Sequence, residues 1–394
     1  MIRFSVFLLI LLSHSVFGQG NGLYGFRSQS GKYGFIDQHG KIRIQPVFLI
    51  VNDFNDGRCF VSRETSTKGY KWICIDTLGN EVFNIQDDFP ETTFNEGFAR
   101  ISNFSTQWFI DKIGNRVFNK SFKDGRGNFS NGFAIVSDEK FQNYYYINKT
   151  GEKVIFLPHG DIHVFDKGLA IVWNEEFKLI DTLGKQIGGK YELIGGWNEG
   201  LIKAKKDNRW GFINTKGITI IDFKYTETDF DKNDSAKKIP LSNLKNISLF
   251  HEGLAIFQKD SLWGVINNKN EVIIKPAFKK LSTFSEGLAA ASLDGEKFGF
   301  IDTAGIFLIK PQFYLADSFK NGVCAVKLNK TRFEIANDYH LDAIINSKGE
   351  ILNQLEMHCY MGFRGALIQY YGGFHFSGGV FYLDEKGKVV VPHN

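Results

Sequence analysis

One short phrase returns along the whole chain and limits what it can fold into: two apolar residues, then Asp or Asn, then two residues, then Gly. Its clearest copies are KYGFIDQHG at 32–40, RWGFINTKG at 209–217, LWGVINNKN at 262–270 and KFGFIDTAG at 297–305. The Asp or Asn stands at Asp37, Asp76, Asp111, Asn148, Asp181, Asn214, Asn267, Asp302, Asn346 and Asp384, which makes ten units. The residue before it is Ile in nine copies and Leu in the tenth. Three residues after it stands Gly, as at Gly40, Gly217 and Gly305, in every copy but one. The exception is Asn270, and Asn is the residue that best tolerates the left-handed region after Gly, so the slot calls for positive φ. Self-similarity at this period marks an array whose units cover one another.

The phrase reads as a strand ending in Asp or Asn, whose side chain accepts hydrogen bonds from backbone N–H groups two or three residues on, followed by a Gly-closed turn. A second strand follows, as in KIRIQP at 41–46, EVIIKP at 271–276 and IFLIKP at 306–311, and the Pro ends its ladder for want of an N–H. A second phrase, aromatic-x-x-Gly, then recurs at Phe54/Gly57, Phe94/Gly97, Phe129/Gly132, Phe165/Gly168, Trp197/Gly200, Phe250/Gly253, Phe284/Gly287 and Phe319/Gly322. It opens a third strand, in which Ala99, Ala134, Ala170, Ala255 and Ala289 mark a tightly packed slot. The 39 Phe and 41 Gly against 7 Pro suit such short strands and turns. The fold class expected is all-β: a repeat array of about ten three-stranded units. Phe35 with Ile36, and Phe300 with Ile301, are apolar on both strand faces, so each unit needs neighbours. An open spiral or solenoid-like stack is favoured, because propellers typically have about 4 to 8 blades. The alternative is a closed propeller-like ring, in which residues 22–26, read as a lone third strand, complete the last unit.

These residues resemble the WG (or KWG) repeat family, whose Trp-Gly pair stands here as Trp210-Gly211 and Trp263-Gly264, with Tyr33-Gly34 and Phe298-Gly299 as close variants. The resemblance spans about 32–392 and implies a bacterial, β-rich repeat protein that binds other molecules, with no shared catalytic motif. The chain departs from the pattern at Gln107, Asp342 and Val380, which replace the aromatic, and at Phe363-Arg364-Gly365, where the second phrase is shortened. Long intervals between anchors place insertions near 222–249 and 327–341, both expected as surface loops.

Residues 1–18 read as a signal peptide: Arg3, an apolar run from Phe4 to Leu12, and a small-residue exit at Val16 and Gly18. The run is too short for a membrane-spanning helix, and no later stretch reaches that length. The expectation is an exported, soluble chain, periplasmic or secreted, whose array occupies 19–394. With 47 Lys+Arg against 43 Asp+Glu the net charge is only +4, so no nucleic-acid partner is expected.

Few residues suggest chemistry. Cys59 and Cys74 could form a disulfide; equally, Cys59 and Cys324 fill the slot that other units give to Ala, and Cys74 an apolar strand slot. His159, Asp161 and His163 are a weak metal constellation, since a structural zinc site needs four ligands and no third strong one is indicated. Asp56, Glu96, Glu199, Glu252 and Glu286 recur once per unit beside the phrase Gly, which suits turn residues rather than a catalytic carboxylate pair. No cofactor motif is present. The reading is a non-enzymatic exported scaffold binding a protein or a cell-envelope glycan. A polysaccharide-acting hydrolase with its residues in an insertion, or a metal-binding module, are the alternatives.

Overall fold

Aromatic and branched residues alternating with Gly turns build strands throughout. In the computed structural model, residues 22–383 are described except 29, 66–68, 86–87, 104, 140–142, 157–160, 226–246, 330–340, 365–366 and 373–379. Residues 1–18, His159, Asp384 and most of both insertions therefore lie outside the described residues. Within them the chain is all-β without a helix, and its strands form nine antiparallel sheets in sequence order. Sheet 1 runs from Tyr24 to Phe48, sheet 2 from Ile50 to Ile85, sheet 3 from Phe89 to Asp111, sheet 4 from Asp124 to Phe156 and sheet 5 from Asp161 to Tyr191. Sheet 6 runs from Leu193 to Tyr225, sheet 7 from Leu254 to Phe278, sheet 8 from Lys280 to Phe313 and sheet 9 from Leu315 to Leu383.

The sheets cut the sequence differently from the expected three-stranded unit. The strand that follows the aromatic-x-x-Gly phrase pairs with the next unit's anchor strand, as Cys59 opposite Ile75, Ala134 opposite Ile147 and Ala255 opposite Ile266 show. A repeat has no intrinsic starting point, and the tightest connections decide which strands pair. Five of the nine sheets are thus four-stranded meanders, and in three of these the first strand has only two residues, as Ile50–Val51 in sheet 2. Tyr24–Arg27 likewise pairs with Tyr33–Ile36 and is not a lone strand. Sheet 9 has six strands because Ile351–Arg364 pairs first with Leu341–Asn346 and then with Leu367–Gly372.

The anchor turns have one geometry. Asp37 Oδ1 accepts from the backbone N–H of His39 and Lys41 (2.9 and 3.0 Å), and Asn267 Oδ1 from Lys269 and Glu271 (3.0 and 2.9 Å), so the acceptor serves residues two and four on. The slot three residues after the anchor has φ 77° at Gly217, 83° at Gly305 and 65° at Asn270. The Gly of the Trp-Gly pair has another cause: a Cβ on Gly264 would lie 2.7 Å from Ile274 O and 2.8 Å from Pro276 N. There the outer strand bulges toward it, and the register shifts between Trp263–Phe278 and Val265–Ile274. Pro276 thus sits inside the strand Val272–Phe278, as Pro46 and Pro311 do in theirs, instead of ending it. A bulge on an outer strand needs no N–H at that point.

Eight hydrophobic clusters fill the spaces between successive sheets. Each phrase aromatic packs on the sheet before it: Phe54 on Phe35 (ring centroids 4.8 Å), Phe250 on Phe212 (5.0 Å) and Phe319 on Phe300 (4.8 Å). Burying each such ring contributes about 2–3 kcal/mol, so the core is a series of equal interfaces. The small slot is filled by buried Ala99, Ala134, Ala170, Ala255 and Ala289 and by Cys59 and Cys324. Cα atoms of Tyr24–Arg27 and of Val380–Leu383 approach within 8 Å, which brings the first and last described strands together.

Candidate binding site

Cys59 and Cys74 are buried free thiols. They lie on neighbouring strands but one register step apart, Cys59 opposite Ile75 and Phe60 opposite Cys74, so their side chains enter different cores and the suggested bridge does not form. Cys59 Sγ donates to Asn52 O (3.0 Å) and Cys324 Sγ to Asp317 O (3.1 Å). Burial pushes the Cys59 and Cys324 thiols well up and that of Cys74 to about 12.

Of the metal constellation, His159 lies outside the described residues. Asp161 is in a short strand opposite Trp173, and His163 gives its N–H to Ile171 O and accepts the Tyr146 hydroxyl at its own carbonyl. No group of three metal-ligating side chains occurs among the described residues. Of the paired tryptophans, Trp210 is fully buried, with Lys203 Nζ 4.6 Å from its ring centre, whereas Trp263 is only half-buried.

A cleft of about 360 Å³ opens on sheet 4, lined by Asp138, Tyr145, Lys153, Val154 and Phe156 among others. Asp138 accepts from the Tyr145 hydroxyl (2.6 Å) and pairs with Lys153 Nζ (2.5 Å), which also stands 4.1 Å from the centre of the Tyr145 ring. Against the upward push of burial, the bonds from Lys153 and Tyr145 hold the Asp138 carboxyl below its ordinary range. Burial and then the Asp138 bond push the Tyr145 hydroxyl up. The polar floor faces an apolar wall in which Phe156 is 59% exposed. Such a cleft can hold a ligand by hydrogen bonds and an aromatic surface.

Between sheets 3 and 4 lies a buried Arg100, which sequence reasoning missed. Burial lowers its guanidinium pKa, and Glu91 and Asp124 oppose that shift. Ser102 donates to Glu91, and the Tyr144 hydroxyl to Asp124, while Arg100 Nε and Nη1 and Gln107 Oε1 are buried without a hydrogen-bond partner among the described residues. A Cβ on Gly125 would lie 2.7 Å from Arg100 Nη1, so a larger residue there requires the guanidinium to shift.

The acidic residues beside the phrase Gly join neighbouring sheets, a role their recurrence in sequence only partly indicated. Each aromatic-x-x-Gly segment is a two-residue hairpin turn with positive φ at both central residues, 50° and 75° at Asp56-Gly57 and 55° and 73° at Glu252-Gly253. That geometry leaves the central N–H groups outside the hairpin, and an acceptor from the preceding sheet's turn reaches them. Asp56 accepts from Gly97 N (2.7 Å), Glu96 from Gly132 N (2.9 Å) and Asn131 from Gly168 N (2.8 Å). Further on, Glu199 takes Glu252 N and Gly253 N (2.6 and 2.9 Å), Glu252 takes Glu286 N and Gly287 N (2.6 and 2.9 Å), and Glu286 takes Asn321 N and Gly322 N (2.5 and 2.8 Å).

No curated protein matches the chain in sequence. Among solved structures it is similar to BamB from Moraxella catarrhalis, at 10% identity and a TM-score of 0.36 over 77% of this chain and 97% of that one. The extracellular domain of a hybrid two-component system from B. thetaiotaomicron is similar at 11% identity and a TM-score of 0.30, over 93% of this chain and 56% of that one. Hsv2 from Kluyveromyces marxianus follows at 8% and 0.29, over 71% and 90%. These likenesses are too loose to carry any property across. The repeat itself is decisive: the family pattern described as WG containing repeat matches at 33–64, 179–210, 210–234, 243–263, 263–296 and 298–331. By these six matches the chain is a member of the WG-containing repeat family.

Proposed function

We propose that this repeat scaffold is exported, has no catalytic role, and presents its array to another protein or to a cell-envelope glycan. The observation that carries the reading is how the polar residues are used. Anchors and turn carboxylates are engaged within the fold, and in the sheet 4 cleft Asp138 pairs with Lys153 beside an exposed Phe156. Exposed apolar residues recur on successive outer strands as well, at Ile220, Val272 and Leu308. The leader-like residues 1–18 support export, and no described helix is long and apolar enough to cross a membrane. The approach of Val380–Leu383 to Tyr24–Arg27 supports the ring-like alternative over the open spiral. A photo-crosslinking residue replacing Phe156 should give one discrete adduct in the producing cells, absent when the same residue replaces Tyr314. A turnover reaction abolished by a single substitution in the cleft would overturn the reading.

A further inference from the structure

Seven successive pairs of hairpin turns can be followed along the array, and six are joined by the side-chain acceptor described above. The exception falls between sheets 5 and 6. There the acceptor slot holds Lys167, at φ 49° like its counterparts, and the turn ahead of it is Glu199-Gly200. The neighbouring slot changes too. Asn95, Ser130, Asn198 and Ser285 each donate to the carbonyl of the next sheet's phrase aromatic, but Asp166 has no donor and instead accepts from Trp197 Nε1 (2.9 Å). Glu199 N–H makes a local bond to Asn198 Oδ1 (3.1 Å). Among the described residues the Gly200 N–H has no acceptor and the Lys167 ammonium no partner, and Lys167, Glu199 and Gly200 are exposed.

We propose that the Glu199-Gly200 turn, together with Lys167, is a carboxylate-binding site that takes an acidic side chain of a partner polypeptide. The equivalent Gly N–H groups of this chain show what the site accepts: at Gly132, Gly253, Gly287 and Gly322 each is occupied by a glutamate carboxylate presented from a neighbouring turn. A cation in the slot adds charge where the chain's own carboxylate would otherwise stand, making the bond to an incoming carboxylate charge-assisted. The nearby acids do not compete, since Glu199 is turned to Glu252 and Gly253, and Asp166 holds Trp197. The site rests on the proposed scaffold reading and names the chemistry of a protein partner.

The sequence supplies its own controls. Glu-Gly pairs occur at 96–97, 199–200, 252–253 and 286–287, so carbonyl-13C-Glu and 15N-Gly labelling of the full chain isolates these four amide resonances, and the Glu199→Gln variant identifies that of Gly200. Titration with acetyl-Ala-Glu-Ala-amide should move Gly200 alone, and the Gln counterpart should not move it. Lys167→Glu should shift Gly200 without peptide and abolish its response to peptide. The proposal is overturned if Gly200 stays still, if the Gln peptide or acetate moves it equally, or if Lys167→Glu still responds. The crosslink at Phe156 is read independently, so this site can fail while the scaffold reading stands.

Discussion

The interface between sheets 5 and 6 and the one between sheets 7 and 8 are built from the same repeat, yet they are fastened differently at both ends. At 7/8 the inner turns are bridged by Glu252, and the anchor-turn Gly305 lies over Ile274, whose side-chain atoms would stand 3.3 Å from an added Cβ. At 5/6 the bridge is missing at Lys167. The anchor-turn Gly217 there lies directly on backbone, with an added Cβ falling 2.3 Å from Gly188 Cα. One interface relies on a carboxylate bond between turns and soft packing, the other on the Trp197–Asp166 bond and close backbone approach. The lesson is that a repeat array can hold its fold while one seam lacks the turn-to-turn bridge that its neighbours carry.

The largest effect that sharpens this contrast comes from the tryptophans. Trp210 in sheet 6 is fully buried, so Trp210→Ala should cost about 3–5 kcal/mol in denaturant unfolding. The half-buried Trp263 in sheet 7 should cost clearly less, and equal losses would remove the distinction. Next come the anchor-turn glycines. Gly305→Val should cost about 1–3 kcal/mol through positive-φ strain, since Ile274 can yield. Gly217→Val should cost more, because the Gly188 backbone cannot move aside, and a reversed order would break the comparison.

Smaller still is Glu252→Ala, which strips two exposed acceptor bonds and should cost about 1 kcal/mol by the same measurement. Lys167→Glu should restore the missing bridge and raise stability by about 0.5 kcal/mol; a loss would contradict the equivalence of the turns. The smallest effect is that of pH. Asp294 in sheet 8 is held at about 2 by the N–H groups of Lys297 and Glu296 and by Ser292, whereas its ordinary value is 3.8. A carboxyl depressed on folding stabilises above its unfolded value, and that contribution is lost as pH falls through the folded one. Asp294→Asn should therefore flatten the fall in melting temperature between pH 4 and pH 2.

Much of the local structure was legible because backbone geometry admits few residues. The Gly-or-Asn slot, the small slot filled by Ala or Cys, and the phrase aromatic can each be read from residue identity alone. Strand pairing was harder, since a repeat carries no mark of where a sheet starts, and the strand after Gly57 went to Asp76's sheet instead of Asp37's. Pro276 misled for a related reason: whether a Pro ends a strand or rides in its bulge depends on the Gly264 facing it. The anomaly at Asp166-Lys167 stands in the sequence, but it gains meaning only when its counterparts are seen bonding to the next turn.

The residues by themselves determined the all-β class, the repeat and its turns, because positive φ and tight packing are local demands that only Gly, Asn or Ala meet cheaply. Only the tertiary structure decided which strands share a sheet, that Cys59 and Cys74 face different cores, and that the turn acceptors serve the neighbouring turn everywhere but at Lys167. Those outcomes depend on register and on contacts between residues more than thirty positions apart, and a one-residue step of register sends a side chain to the opposite face.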